Sequence, residues 1–291
     1  IDAKFAIAQC RIGERKNSEA ITTLNEILTA KGDYEHADRV RYELGHALLN
    51  EEKTAEATAA FEQLATRHPD SPLAAEALFH VGRGHEATAK TEDEQTSSPA
   101  LAAAATAYAA GLAKAKSPEL REKLSYKLGN TQFQQGKYSE ASATLKQQLE
   151  QYRQGELAGP ARYLAAESLY LYDKLAEALP LFQQVIDAKV EGYLARSLYR
   201  AGQCAANTKD WPASEKYYAD LIEKFPEFPQ LADARYGLAF ALQNRGQTDH
   251  AIQLYQQVAD QSTSESGAKS RFMLGEIAFG KKQFDDAIFQ F

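Results

Sequence analysis

Tyr126-Lys-Leu-Gly129-Asn-Thr-Gln-Phe133-Gln-Gln-Gly136-Lys-Tyr138-Ser-Glu-Ala141-Ser-Ala-Thr-Leu145 contains the whole grammar of the chain. An aromatic ring stands three residues before a small residue, and twelve residues later a second small residue precedes a large apolar one by four. The opening ring recurs as Phe5, Tyr42, Phe79, Tyr126, Tyr163, Tyr199, Tyr236 and Phe272, followed by Ala8, Gly45, Gly82, Gly129, Ala166, Gly202, Ala239 and Gly275. Successive rings are separated by 37, 37, 47, 37, 36, 37 and 36 residues, a tandem array with one ten-residue insertion. Such a period marks an array of stacked units, each burying its apolar face against its neighbours.

The second half of the motif recurs as Ala20/Leu24, Ala57/Phe61, Ala141/Leu145, Ala178/Phe182, Ser214/Tyr218, Ala251/Tyr255 and Ala287/Phe291. A spacing of four puts both side chains on one helical face, where the small residue admits a neighbouring helix and the large one fills the gap. Each repeat therefore reads as two helices. Ile7, Leu44, Val81, Leu128, Leu238 and Leu274 in the first helix, and Ile27, Leu64, Val185, Leu221 and Val258 in the second, are core columns. Gly136 and Gly246 fall at the reversal between helices, Pro69 and Pro226 after second helices, and Ser71-Pro72 and Ser117-Pro118 where an N-cap and first-turn proline open the next helix. In the third repeat, twenty-two residues rather than twelve separate Gly82 from its partner Ala104. The surplus, residues 91–99, is polar, acidic and closed by Pro99, and reads as a loop insertion at the helix-helix turn.

Stacked repeats need no central core, so residues 1–291 read as a single solenoid. A net charge of -7 gives no reason to expect nucleic acid as a partner. The Ala-rich run Ala100 to Ala113 is shorter than the roughly 20 apolar residues of a spanning helix, and no transmembrane segment is expected. Cys10 and Cys204 stand five repeats apart, too far for a disulfide, and read as small buried thiols. No signal peptide is visible, and the last second helix, opening at Phe284, stops on its apolar column at Phe291, so the chain is expected to be a fragment of a longer protein.

The helix pair with Leu128-Gly129, Gly136-Lys-Tyr138 and Ala141-x-x-x-Leu145 resembles the tetratricopeptide repeat over nearly the whole chain, although that unit has 34 residues and the period here is 36 to 37. Stretches such as Ala57-x-x-x-Phe61, with Pro69 and Ser71 before Phe79-x-x-Gly82, look like the longer repeats of bacterial envelope proteins of the TolA-binding and outer-membrane assembly lipoprotein types. The resemblance implies an all-α fold, a right-handed α-α superhelix of about seven and a half helix pairs whose first helices line a concave groove. A periplasmic or envelope setting follows from the same resemblance, with the cytoplasm an alternative.

On a first helix the ring and the residues four, seven or eight further on share a face. The resulting groove candidates are Tyr42 and His46, Phe79 and Arg83, Tyr126 with Asn130 and Phe133, Tyr163 with Tyr170, Arg196, Tyr199, Arg200 and Gln203, and Tyr236 with Phe240 and Asn244. Rings give apolar contact with little entropy to lose, and amides both donate to and accept from a peptide backbone. The plainer explanation of the regular rings is packing between repeats, which makes the irregular neighbours Asn130, Phe133, Tyr170, Phe240, Arg196 and Arg200 the sharper candidates. Carboxylate gripping of the kind some tetratricopeptide domains perform lacks its leading Lys, because that position is aromatic in every repeat.

No enzyme signature accompanies the period. His80 and His85 are five apart, off the spacing of helical metal pairs, and no Gly-rich loop follows a strand. No catalytic residue, metal site or cofactor is expected, and the predicted role is a protein-interaction scaffold for a peptide or helix. The alternatives are a structural or self-assembly spacer, and the recruiting segment of an enzyme whose catalytic part lies elsewhere; the oligomeric state stays open.

Overall fold

The computed structural model describes the chain except residues 31–33 and 92–93, and no side chain between residues 91 and 98. Every regular element among the described residues is an α-helix, and the chain divides into two compact units, residues 1–157 and 158–291. In the first unit α1 (Asp2–Gly13) pairs with α2 (Asn17–Ala30), α3 (Ala37–Asn50) with α4 (Thr54–Arg67), α5 (Ala74–Thr91) with α6 (Glu94–Lys114), and α7 (Pro118–Gln134) with α8 (Tyr138–Gln151). In the second α9 (Ala158–Leu171) pairs with α10 (Leu175–Asp187), α11 (Leu194–Asn207) with α12 (Trp211–Lys224), and α13 (Leu231–Asn244) with α14 (Thr248–Gln261). The last pair is α15 (Glu265–Gly280) and the short α16 (Phe284–Gln290), so seven full pairs and a partial one match the period.

Within a pair, the small residue of the first helix and the large residue of the second lock together. A methyl group added to Gly129 would stand 2.6 Å from Leu145 Cγ, and one on Gly45 would stand 2.5 Å from Phe61 Cζ. Leu24, Phe61, Leu145, Phe182 and Tyr255 are each at most 1% exposed. Burying such a side chain stabilises by about 1.5–3 kcal/mol, and repetition of this one lock builds the core of both units.

Among the described residues the turn inside the pair is also repeated, in seven of the eight pairs. Ten residues after the ring, the chain enters the left-handed region at Arg15, Glu52, Gly136, Asp173, Lys209, Gly246 and Lys282, with φ between 59° and 78°. The next residue bonds back across the helix end, as Lys137 N to Gln132 O at 2.9 Å and Lys174 N to Leu169 O at 2.8 Å, which satisfies carbonyls that the ending helix leaves open. Glycine takes this conformation without cost, yet five of these seven positions carry a side chain.

Some local expectations change. The proposed loop at 91–99 is helical where it is described: α5 runs through Thr91 to 18 residues and α6 starts at Glu94 and runs for 21, while residues 92–93 lie outside the described residues. The Ala-rich run that follows is a strong helix former, so the ten extra residues lengthen the pair. Ser117 caps α7 as expected, accepting from Leu120 N at 3.4 Å. Ser71 lies short of α5, accepts from Leu73 N and donates to Asp38 Oδ2 at 2.6 Å, tying two repeats together. Cys204 is buried, whereas Cys10 and Ile7 on α1 are exposed.

Candidate protein-binding groove

In the second unit the first helices α9, α11, α13 and α15 lie side by side and touch their neighbours. Their rings are divided between core and surface. Tyr163, Tyr199 and Tyr236 each meet the large residue of their own pair, with ring centroids 6.1 Å from Phe182, 6.3 Å from Tyr218 and 5.7 Å from Tyr255. Tyr163 also leans on Tyr193 at 4.7 Å and Tyr199 on Phe228 at 5.5 Å, both from the segments that join repeats. Burial pushes the phenols of Tyr163 and Tyr199 up to about 12, so both remain neutral donors at physiological pH.

Two adjoining depressions share Tyr199. One, of about 490 Å³, collects Tyr199, Gln203 and Asn207 from α11, Asp233, Tyr236, Gly237 and Phe240 from α13, and Glu265, Ser266 and Lys269 from α15. The other, of about 420 Å³, is lined by Tyr163, Glu167, Arg196, Tyr199, Arg200, Phe228 and Gln230. Predicted residues from three successive first helices thus converge. The expected basic pair does not act as one. Arg200 donates from Nε and Nη2 to Glu167, donates from Nη1 to Gln203 at 3.0 Å, and lies 4.2 Å above the ring of Tyr170. Arg196 is exposed and presents its charge to the smaller depression. Asn244 is exposed and turns its amide back onto Phe240 O at 2.8 Å.

In the first unit, Phe79 and Tyr126 line a depression of about 450 Å³ with Glu122, Lys123, Lys127 and Leu157. Glu122 is held by the Leu157 N–H at 2.9 Å, and Lys127 by Glu86 at 2.7 Å. Arg83 is exposed, 6.0 Å above the Phe79 ring. Tyr42 and His46 belong to an aromatic cluster: His46 meets Tyr42 at 4.5 Å, Phe61 at 5.4 Å and His80 at 4.8 Å. Asn130 is half-buried on α7, and the Phe133 ring sits 5.5 Å from Tyr138, closing its own helix pair.

Sequence reasoning missed Asp233, Glu265, Ser266 and Lys269, and the joining-segment residues Phe228 and Gln230. Arg196, Asp233 and Lys269 each stand three residues before the ring, on the same helical face, so the periodicity that found the residues beyond the ring also reaches those before it. Among the described residues no cluster of three His, Cys, Asp or Glu side chains is placed to hold a metal ion, and no helix is long and apolar enough to cross a membrane.

Family models described as tetratricopeptide repeat match residues 126–190 and 236–291 in one form, and 39–71 and 196–227 in another, together more than half of the chain. The chain belongs to the tetratricopeptide repeat family. Repeats of this family serve in general as protein–protein interaction scaffolds rather than catalysts. No curated protein matches the chain. Among solved structures it is similar to the C-terminal part of a tetratricopeptide repeat-containing protein from Cytophaga hutchinsonii, with TM-score 0.59 and 14% identity, covering 91% of this chain and 98% of that one. The apo form of RapI is similar with TM-score 0.57 and 14% identity over 97% and 83%. YrrB, described as a tetratricopeptide protein with an unusual peptide-binding site, is similar with TM-score 0.54 and 18% identity over 70% and 92%. At these identities the likeness is one of fold.

Proposed function

We propose that this tetratricopeptide repeat protein holds a peptide or helix of a partner protein against the first helices of its second unit. The observation that carries the reading is the convergence of Tyr199, Gln203, Asn207, Tyr236 and Phe240 on one open depression of about 490 Å³. Half-buried rings offer apolar surface whose conformation is already fixed, and side-chain amides beside them suit a peptide backbone. The fold shared with YrrB and its peptide-binding site runs in the same direction. The long period, with its resemblance to envelope repeats, makes a bacterial envelope complex the proposed setting.

Selection of displayed random peptides on the immobilised full chain tests this. Asn207 lines the depression near the end of α11, and Lys216 is exposed on α12. Selected peptides are expected to bind Asn207→Tyr about tenfold more weakly, because the added ring occupies contact area, and to bind Lys216→Tyr unchanged. Equal binding to both variants, or no enriched peptide at all, would count against the groove.

A further inference from the structure

Three features of the larger depression bear on what it can hold. First, its charged lining is mainly acidic: Asp233 and Glu265 face it, against the single cation Lys269. Lys269 is held by Glu265 at 2.8 Å, one helical turn away, with both side chains more than half exposed, so this ion pair opens at little cost. Second, the acidic groups sit beside the rings of Tyr199, Tyr236 and Phe240, whose faces are electron-rich and attract cations. Third, the residue after the ring is Gly237, where the other repeats carry side chains such as His80, Lys127, Leu164 and Arg200. A methyl group at Gly237 would stand 2.5 Å from Tyr218 Cζ and 2.9 Å from its Oη. The glycine thus admits the Tyr218 ring to the wall of the depression and leaves the centre open.

Building on the groove reading, we propose that this depression receives a cationic side chain, arginine or lysine, from the bound partner segment. The cation would lie among the three rings with its charge toward Asp233 and Glu265, displacing Lys269 from Glu265. Asp233 already accepts from Ser266 and keeps acceptor capacity on its carboxylate. Arg196 lines the adjoining depression and not this one.

Trp211 supplies the readout. It is the single tryptophan of the chain and stands edge-on to Phe240, with centroids 5.6 Å apart. The tightest display-selected twelve-residue peptides are resynthesised with each Arg or Lys replaced by Gln, and titrated against the full chain while Trp211 emission is followed. One basic residue is expected to matter by about tenfold. In Asp233→Asn the same replacement is expected to cost less than about twofold, and Lys269→Ala is expected to tighten the basic peptide, since Glu265 is then free. Selected peptides that lack a basic residue, or that bind equally well after its replacement, would overturn the cationic site and leave the groove standing. Failure to select any peptide would overturn the groove itself, and a Lys269→Ala variant that weakens the basic peptide would overturn the proposed displacement.

Discussion

Arg200 Nε lies 3.0 and 3.1 Å from the two carboxylate oxygens of Glu167, and its Nη2 lies 2.6 Å from Oε1, so one fork joins the first helices of successive repeats. Glu167 is 7% exposed, and its charge is tolerated there only because it is paired. Removing the arginine strands a carboxylate, whereas removing both groups strands nothing. Arg200→Met is therefore expected to cost about 2–3 kcal/mol, and the Glu167→Leu/Arg200→Met double variant less than the sum of the single changes by more than about 1 kcal/mol. Urea unfolding of the four proteins measures that coupling, and strict additivity would show the fork to be idle.

The left-handed turns offer a second test. Glu52 has φ 60° and Gly136 has φ 73°, at equivalent places in their repeats. A side chain in this region costs about 1–2 kcal/mol relative to its right-handed alternative, and glycine avoids most of that cost. Glu52→Gly is expected to raise stability by about 0.5–1 kcal/mol, and Gly136→Ala to lower it by about 1 kcal/mol. Thermal unfolding would expose the idea as wrong if both changes moved stability in the same direction.

These turns also show what a sequence can reveal. The ring, the small residue and the large residue recur because every repeat closes the same gap, so the helix pairs were legible from spacing alone. The turn was legible only where glycine occupies it, since Arg15, Glu52, Asp173, Lys209 and Lys282 conceal the same backbone behind ordinary side chains. The lining of the candidate groove was legible only in part. Rings and amides beyond the anchor follow the helical period, but Glu265, Ser266 and Phe228 enter from helix starts and joining segments that vary between repeats. The commitment of Arg200 to Glu167 depends on which side chain of the next helix lies opposite, and one repeat read by itself does not contain that.

Gln148 occupies the column that holds Ile27, Leu64, Val185, Leu221 and Val258 in other repeats. It is 2% exposed, and neither its amide nitrogen nor its oxygen has a hydrogen-bond partner. A buried amide without a partner costs about 1–3 kcal/mol, and an apolar side chain of similar volume removes that cost while keeping the contacts. Gln148→Leu is expected to raise the unfolding free energy by about 1–2 kcal/mol. A loss of stability in urea unfolding would mean that the amide is engaged by a group or water that the leucine displaces.

His46 and His80 place two titratable rings in the aromatic cluster around Phe61, which stacks on His80 at 4.7 Å and 16°. Burial, then the nearby His46 and Arg83 charges, lowers His80 to about 4. Burial also lowers His46, against the opposing pull of Glu76 and Glu43. A histidine whose folded value lies below its unfolded value, near 6.5, is held neutral by the fold. Its contribution is complete above about pH 6.5 and is lost as the pH falls toward 4, because the unfolded chain then binds the proton more readily. Between pH 7 and pH 5 the His80 contribution is expected to fall by on the order of 1–2 kcal/mol. His80→Phe keeps a ring on Phe61 and removes the proton site, so the gap between its urea-unfolding free energy and that of the parent should shift in the variant's favour as the pH falls over this range. A gap that stays constant with pH would show that His80 is not the group responsible.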